Sequence, residues 1–495
     1  MEAERVFDYH ALLPEFILGA TVLVVLGVDL VVAPRLRWLA GAAGIAGLLG
    51  AAVPLLTLAA AAGPRAMFGG SYVVDDFALV LKGLFLVAGA IVLLASVGYL
   101  RRDRYYEGEY YFLILASITG AVVMASARDL ITMFIGLELV SGPAFLLAGW
   151  RKGDLRSNEA ALKFFLIGVL SSAVLLFGMS LVYGTTGEST FAGIAAAAAA
   201  LEGESAFVLG VLLVLVGFGF KIAAVPFHFW APDTYQGAPL PVAAYLSVGS
   251  KGAGFVGLLT ICYGAFTGAR SIWGPALWVL AALTMTVGNL TALRQSNVVR
   301  LLGYSSVAHA GFILAPFAMA AAFDGPALEE AFFASLTYLL IYAFMNLGAF
   351  AAVIAIAERT GSREIDDWAG LARYAPVPAT LLGVFFFSLA GIPPLAGWFA
   401  KFVMFKAVLG DGGNPWGVAL AVVAAVNAVI ALFFYARVLK AAFMDPAPDT
   451  LPEGPAVSRP LAVVLALTAV VVLAAGFYPQ LLAFFAEAAR GLALP

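Results

Sequence analysis

Residues 218–239 read FGFKIAAVPFHFWAPDTYQGAP, directly after the apolar run VLGVLLVLVG at 208–217. A lone cation, Lys221, enters with no charged neighbour in sequence, and Pro226, His228, Pro232 and Asp233 follow within twelve residues. One physical setting suits an apolar helix that ends on a lysine and is then broken by prolines. Inside a bilayer, backbone freed by a helix break is tolerated only where it meets protein or a water-filled cavity. An ionisable side chain at that depth is functional by default. The stretch predicts a discontinuous membrane-spanning helix with a proton-exchangeable group at its break.

The rest of the chain agrees. Of 495 residues, 63% are hydrophobic and 12% charged, whereas a soluble domain is nearer about half apolar and about a quarter charged. Apolar runs of 18 or more residues recur throughout, the mark of an all-α polytopic membrane protein. The roughly ten-residue alternation of a membrane β-barrel is missing. A net charge of −3 offers no basic face for nucleic acid. The single cysteine, Cys262, excludes an internal disulfide and any cysteine-ligated iron–sulfur cluster within this chain. No lysine follows a glycine, so there is no phosphate-binding P-loop, and three scattered histidines lack metal-ligand spacing. The start, MEAERVFDYHALLPEF, does not read as a cleaved signal peptide.

Apolar windows between polar or Pro/Gly breaks predict about 14 transmembrane helices, with cores at 14–32, 38–60, 77–100, 111–127, 129–150, 160–184, 205–225, 241–266, 273–293, 298–321, 328–357, 378–410, 415–442 and 460–488. The window 378–410 exceeds the ~20 residues of one straight span. It carries LAGIPPLAGW in its middle, where Gly391, Pro393, Pro394 and Gly397 should interrupt the helix. Connections after odd-numbered helices hold sixteen Lys and Arg residues, Arg35 and Arg104 among them; the other side, counting both termini and Arg5, holds five. The positive-inside rule then places both termini on the outer side.

Subtracting those twenty-one from 27 basic residues leaves six, all lysine and all inside predicted spans: Lys82, Lys163, Lys221, Lys251, Lys401 and Lys406. None of the nineteen arginines lies deep in a span. Arginine is effectively never deprotonated, whereas a desolvated lysine can release its proton. A membrane interior that admits lysine and excludes arginine looks selected for groups that titrate. Lys82 and Lys406 lie near helix ends, where snorkelling of the amine to the interface is the structural reading. Lys163, in SNEAALKFF, divides evenly between that reading and a functional one. Lys221, Lys251 (in SVGSKGAGF) and Lys401 lie deeper and are candidate proton carriers. Glu138, in FIGLELVSGP, is the one carboxylate at equal depth; a lysine partner whose distance changed would switch the proton affinity of both groups. A static ion pair locking two helices is the alternative. His228, in PFHFW, and His309, in YSSVAHAGF, are candidate relays, or simply hydrogen-bonded core histidines. Asp29, near Arg35, reads as structural.

The two broken segments echo each other. PFHFW at 226–230 and PLAGW at 394–398 share a Pro-x-x-x-Trp spacing, each with an intramembrane lysine five to seven residues away. The breaks fall in helices 7 and 12, five helices apart, which predicts two inverted five-helix repeats. The expected organisation is three N-terminal helices over 1–110, a first repeat (helices 4–8) over 111–270, a second inverted repeat (helices 9–13) over 271–442, and a Pro-rich linker with helix 14 over 443–495.

At FKIAAVPFHFWAPDTYQGAP, LAGIPPLAGWFAKF and RLLGYSSVAHAGF the chain resembles the antiporter-like membrane subunits of respiratory complex I, strongly over about 110–445. M-type members usually carry glutamate where Lys401 stands, and L-type members carry a lateral helix and further spans, so the resemblance is to the N-type branch. Trp398 departs from the phenylalanine commoner there. The resemblance implies that Glu138 and Lys221 form a coupled pair, that Lys163 modulates it, and that Lys251 is the central relay. Lys401 would be the terminal lysine, with His228 and His309 as connecting positions. It also implies that NADH, FMN, iron–sulfur clusters and quinone bind to partner subunits and none of them here. An M-type neighbour, small membrane subunits and the lipid bilayer of a bacterial cell membrane are the implied surroundings. A subunit of a multi-subunit cation/proton antiporter or of a membrane-bound hydrogenase, a self-contained solute symporter, and a structural scaffold are the other readings.

Overall fold

The computed structural model describes residues 7–33, 36–61, 63–103, 108–410 and 412–490. Arg5, Arg35 and Arg104, which enter the loop-charge balance, lie outside the described residues. The chain opens with α1 (Leu13–Val31) and α2 (Trp38–Ala59), then a two-stranded antiparallel hairpin, β1 (Arg65–Met67) and β2 (Tyr72–Val74), with Arg65 opposite Val74. Helices α3 (Asp76–Asp103), α4 (Gly108–Ser126), α5 (Leu130–Ala148) and α6 (Leu155–Thr186) follow, with a short α7 (Phe191–Ala198). The broken element comes next as α8 (Ser205–Lys221) and α9 (Trp230–Gly237). Helices α10 (Leu240–Tyr245) and α11 (Lys251–Thr260) form one crossing, joined by a π-helical turn, Leu246–Ser250. Then come α12 (Arg270–Ala292), α13 (Val298–Ala318), α14 (Pro326–Thr360), the single turn α15 (Leu371–Tyr374), and the second broken element, α16 (Pro376–Ala390) with α17 (Ala396–Leu409). The chain closes with α18 (Pro415–Phe443), α19 (Arg459–Phe477) and α20 (Gln480–Ala488).

Among the described residues, 12 helices are long and apolar enough to cross a membrane; α8 and α16 are shorter apolar helices. The helix starts are written in the sequence. Asp129, Asp154 and Asn297 cap α5, α6 and α13 by accepting backbone N–H bonds, and prolines sit in the first turns of α14, α16, α18 and α19. The crossing Leu240–Ala265 is buried on every side, and α13 and α14 nearly so. That explains why these helices are apolar all round. At the centre, α9 packs on α13, α8 on α12 and α10 on α14.

Three details differ from expectation. The β hairpin was not foreseen, and the last window, 460–488, is two helices, interrupted at Pro479, which lacks an amide hydrogen to continue α19. Lys82 does not snorkel. Its side chain is fully buried, with Nζ 2.6 Å from Glu15 Oε1, whose same oxygen accepts from the Tyr72 hydroxyl at 2.7 Å. A buried ammonium needs a counter-charge, and α1 supplies it. Lys406 is 60% exposed and pairs with Glu330 at 2.9 Å, in keeping with snorkelling.

Candidate functional site

The first break is held open by hydrogen bonds that satisfy its freed backbone. Helix α8 stops at Lys221, Ala223 takes a positive φ of 57°, and the Val225 N–H donates to Thr284 Oγ1 on α12 at 2.9 Å. Trp230 Nε1 donates to the Phe220 carbonyl at 3.0 Å, so the end of α8 is not left bare. The second break is built by other means. Gly391 ends α16 at φ 89°, and Ser388 Oγ accepts from the Gly397 N–H at 3.1 Å. A β-carbon at position 397 would stand 1.7 Å from the Ser388 carbonyl oxygen, so only glycine lets α17 start here. The Ala390 carbonyl, freed at the end of α16, accepts from Lys401 Nζ at 2.5 Å. Each break thus carries one of the deep lysines.

Lys221 and Glu138 come together with Nζ 3.8 Å from Oε1. That distance is too long for a direct hydrogen bond, and each partner is instead bonded to its own serine. Lys221 Nζ donates to Ser141 Oγ at 2.6 Å, and Ser172 Oγ donates to Glu138 Oε1 at 2.6 Å. The lysine is buried, but the Glu138 side chain is 37% exposed on the lateral surface of the chain, among exposed Ile131, Ile135 and Leu139.

Lys251 follows the π-turn directly and is buried, with Nζ donating to the Ser306 carbonyl at 2.8 Å and to Ser306 Oγ at 2.5 Å. π-Bulges are frequent at functional sites because they re-aim side chains within a helix. Gly254, one turn further along α11, packs directly on Lys221, where a β-carbon would lie 2.9 Å from the lysine's own. The two lysines therefore occupy adjacent helices at nearly the same level.

From Ser306 the polar groups continue along α13. Ser305, His309 and Phe312 share one face at helical spacing. Ser305 Oγ lies 2.5 Å from the Tyr435 hydroxyl, which in turn lies 3.4 Å from His309 Nε2. His309 Nδ1 is 3.1 Å from the Tyr338 hydroxyl. Lys401 Nζ stands 5.2 Å from the centre of the Phe312 ring, which stacks on Tyr338. Among the described residues no carboxylate lies within 4.0 Å of Lys251 or Lys401. Tyr338 and Tyr435 went unnoticed in sequence because tyrosine is an ordinary core residue in such helices. His228 is buried in the first break, its ring 4.7 Å from Phe229 and 6.5 Å from Tyr304.

Lys163 sits apart from the Glu138–Lys221 pair. Its amine lies 2.6 Å from Glu159 Oε1 and 2.8 Å from Asp233 Oδ2, and the other Asp233 oxygen accepts from Arg300 Nη1 at 2.6 Å. Arg300 also donates to Gln236 Oε1 at 3.0 Å. Asp233, on the far half of the first broken helix, therefore ties α9 to α6 and to α13 at once. The aspartate is present in the opening motif, but its partners lie 70 and 67 residues away and leave no local trace. Asp233→Asn should leave two cations facing each other without their shared anion. We expect activity per folded chain, measured in membranes against chain content, to fall several-fold and to recover in Asp233→Glu. Wild-type turnover in Asp233→Asn would show that the tie has no part in activity.

Residues 127–430 match the family described as NADH:quinone oxidoreductase/Mrp antiporter, TM. NADH-quinone oxidoreductase subunit N of Trichlorobacter lovleyi is 37% identical over 488 residues, covering 98% of this chain and 97% of the relative. NADH-quinone oxidoreductase subunit N 2 of Streptomyces griseus is 44% identical over 461 residues, covering 90% and 84%. Among solved structures, a chain of respiratory complex I from Thermus thermophilus superposes with a TM-score of 0.77 at 31% identity, covering 95% of this chain and 98% of that one. A chain of the Mrp complex from Dietzia shares the fold, with a TM-score of 0.85 at 23% identity and coverage of 99% and 98%. The broken helices, the deep lysines and these relatives meet in one assignment: the chain belongs to the NADH:quinone oxidoreductase/Mrp antiporter membrane family, among its subunit N members.

Proposed function

We propose that this chain is the proton-translocating membrane subunit N of a NADH:quinone oxidoreductase. NADH oxidation and quinone reduction take place in other subunits, which hold NADH, FMN, iron–sulfur clusters and quinone. This chain moves protons in response. The observation that carries the reading is the succession of ionisable and hydroxyl side chains from Glu138 through Lys221, Lys251, Ser306, His309 and Tyr435 to Lys401, strung between two helix breaks.

In this reading the Glu138–Lys221 pair is the coupled switch. The 3.8 Å separation is the variable of the switch: moving Glu138 away withdraws the lysine's counter-charge and favours release of its proton. Lys251 receives the proton, and α13 passes it through Ser306 and His309 toward Lys401. Both histidines act as relays, with His228 standing at the first break. Lys163 bears on the pair from a distance, through Asp233 and the orientation of α9. The two broken segments serve as the seventh and twelfth of fourteen crossings, 111–270 and 271–442 being inverted repeats, with both termini on the outer side of a bacterial plasma membrane. Partners include an M-type neighbour and small membrane subunits. Glu138 supports the need for a neighbour: a carboxylate on a lateral apolar surface at membrane depth requires a covering partner rather than lipid.

The test is an affinity purification by a tag on this chain, followed by reconstitution in vesicles. The expected assembly contains flavin and iron–sulfur subunits, and NADH with quinone drives proton transfer across the vesicle membrane. Recovery of an assembly lacking them, or of the chain alone exchanging cations for protons, would overturn the proposal.

A further inference from the structure

Outside the polar axis, a lateral groove of about 810 Å³ opens between α16 and α18. Thr380, Gly383 and Phe387 face Phe433, Leu439 and Phe443 across it, and its lining is almost wholly apolar. Its inner end is Leu395, in the second helix break; its outer end carries Arg437 and Lys440, in the last turns of α18. From Phe433 to Phe443 the groove follows eleven residues of helix, about 16 Å at 1.5 Å per residue. One leaflet of a bilayer core about 30 Å thick has nearly the same depth.

The charges at the outer end are not cancelled. Among the described residues Arg437 donates to neutral carbonyls, those of Leu293 and Gln295, and pairs with no carboxylate, while Lys440 Nζ lies 2.6 Å from Asp445 Oδ1. One positive charge is left over at the level where a phosphate would sit. The apolar walls are open because Gly383 brings no side chain: a β-carbon there would have no neighbour closer than Leu439 Cδ2 and Phe443 Cε2, both at 3.9 Å. We propose that this groove is a binding site for an anionic phospholipid, with its head group on Arg437 and Lys440 and an acyl chain running inward to the broken segment at Leu395. Basic pockets between spanning helices suit such head groups, and long cationic side chains reach them at the interface. A helix of a neighbouring subunit would fill the apolar walls equally well, but would gain nothing from the excess charge unless it brought an anion.

The experiment places a photo-reactive amino acid at Phe433 in the assembled complex in native membranes. Irradiation should yield an adduct with an anionic phospholipid; an adduct with another protein subunit would overturn the proposal. In parallel, phospholipid is extracted from purified complexes carrying Lys440→Gln or Gly383→Phe and counted by mass spectrometry. Loss of one charge should weaken retention about fivefold, and the phenylalanine should displace the acyl chain. Equal retention in wild type and Lys440→Gln would sink the idea even if Gly383→Phe failed to assemble.

Discussion

Both Lys221→Ala and Lys221→Arg are expected to lose coupled turnover by about a hundredfold, the scale of a missing proton-transfer group, in a complex that still assembles. Alanine removes the cation that Glu138 has among the described residues, and the ammonium that donates to Ser141. Arginine restores a positive charge opposite Glu138 but keeps its proton at any physiological pH. Its planar guanidinium must also fit a site shaped for an amine lying between Ser141, Glu138 and the rings of Phe145 and Phe220. NADH:quinone turnover and proton uptake are measured together, normalised to assembled complex. Wild-type behaviour in Lys221→Arg would mean that a fixed charge suffices and that proton release from this lysine is no part of the mechanism.

Lys251→Met separates function from stability more sharply. Methionine matches the length of the lysine stem, with a sulfur in place of one methylene, and lacks the amine. The ammonium has no carboxylate partner among the described residues, only the carbonyl and hydroxyl of Ser306. Removing a desolvated charge and filling its volume with an apolar side chain is often neutral or stabilising. The expected outcome is unchanged or raised thermal stability of the complex, with proton pumping again down by about a hundredfold. A lysine kept for structure would give the reverse, poor assembly with normal turnover in whatever complex forms.

The fold was legible wherever the sequence punctuates itself. Proline and glycine at 226, 232, 391, 393, 394 and 397 announce both breaks, because a missing amide hydrogen or a positive φ is a property of one residue. The deep lysines were legible for the same reason, since a lone charge in an apolar run needs no partner to be noticed. Partners are what the sequence hid. Asp233 reaches Lys163 and Arg300, Glu15 reaches Lys82, and Tyr435 reaches Ser305 across 130 residues. These contacts exist only once helices distant in the chain are packed side by side. The π-turn before Lys251 was equally silent, since SVGSKGAGF fits an α-helix of the same length without strain.

That π-turn has a sibling. The segments Leu246–Ser250 and Ile261–Ala265 bracket the ten α-helical residues Lys251–Thr260, so one buried crossing carries two supernumerary residues. Each α-helical residue advances the azimuth by about 100°, and a π-turn acts as a dislocation that can migrate along a helix as hydrogen bonds change partner one at a time. A dislocation re-aims only the residues it passes, and Lys251 is the residue next to the first of the two. A one-residue step of that first turn would swing the Lys251 amine away from Ser306 while both ends of the crossing, and the outline of the protein, stay where they are.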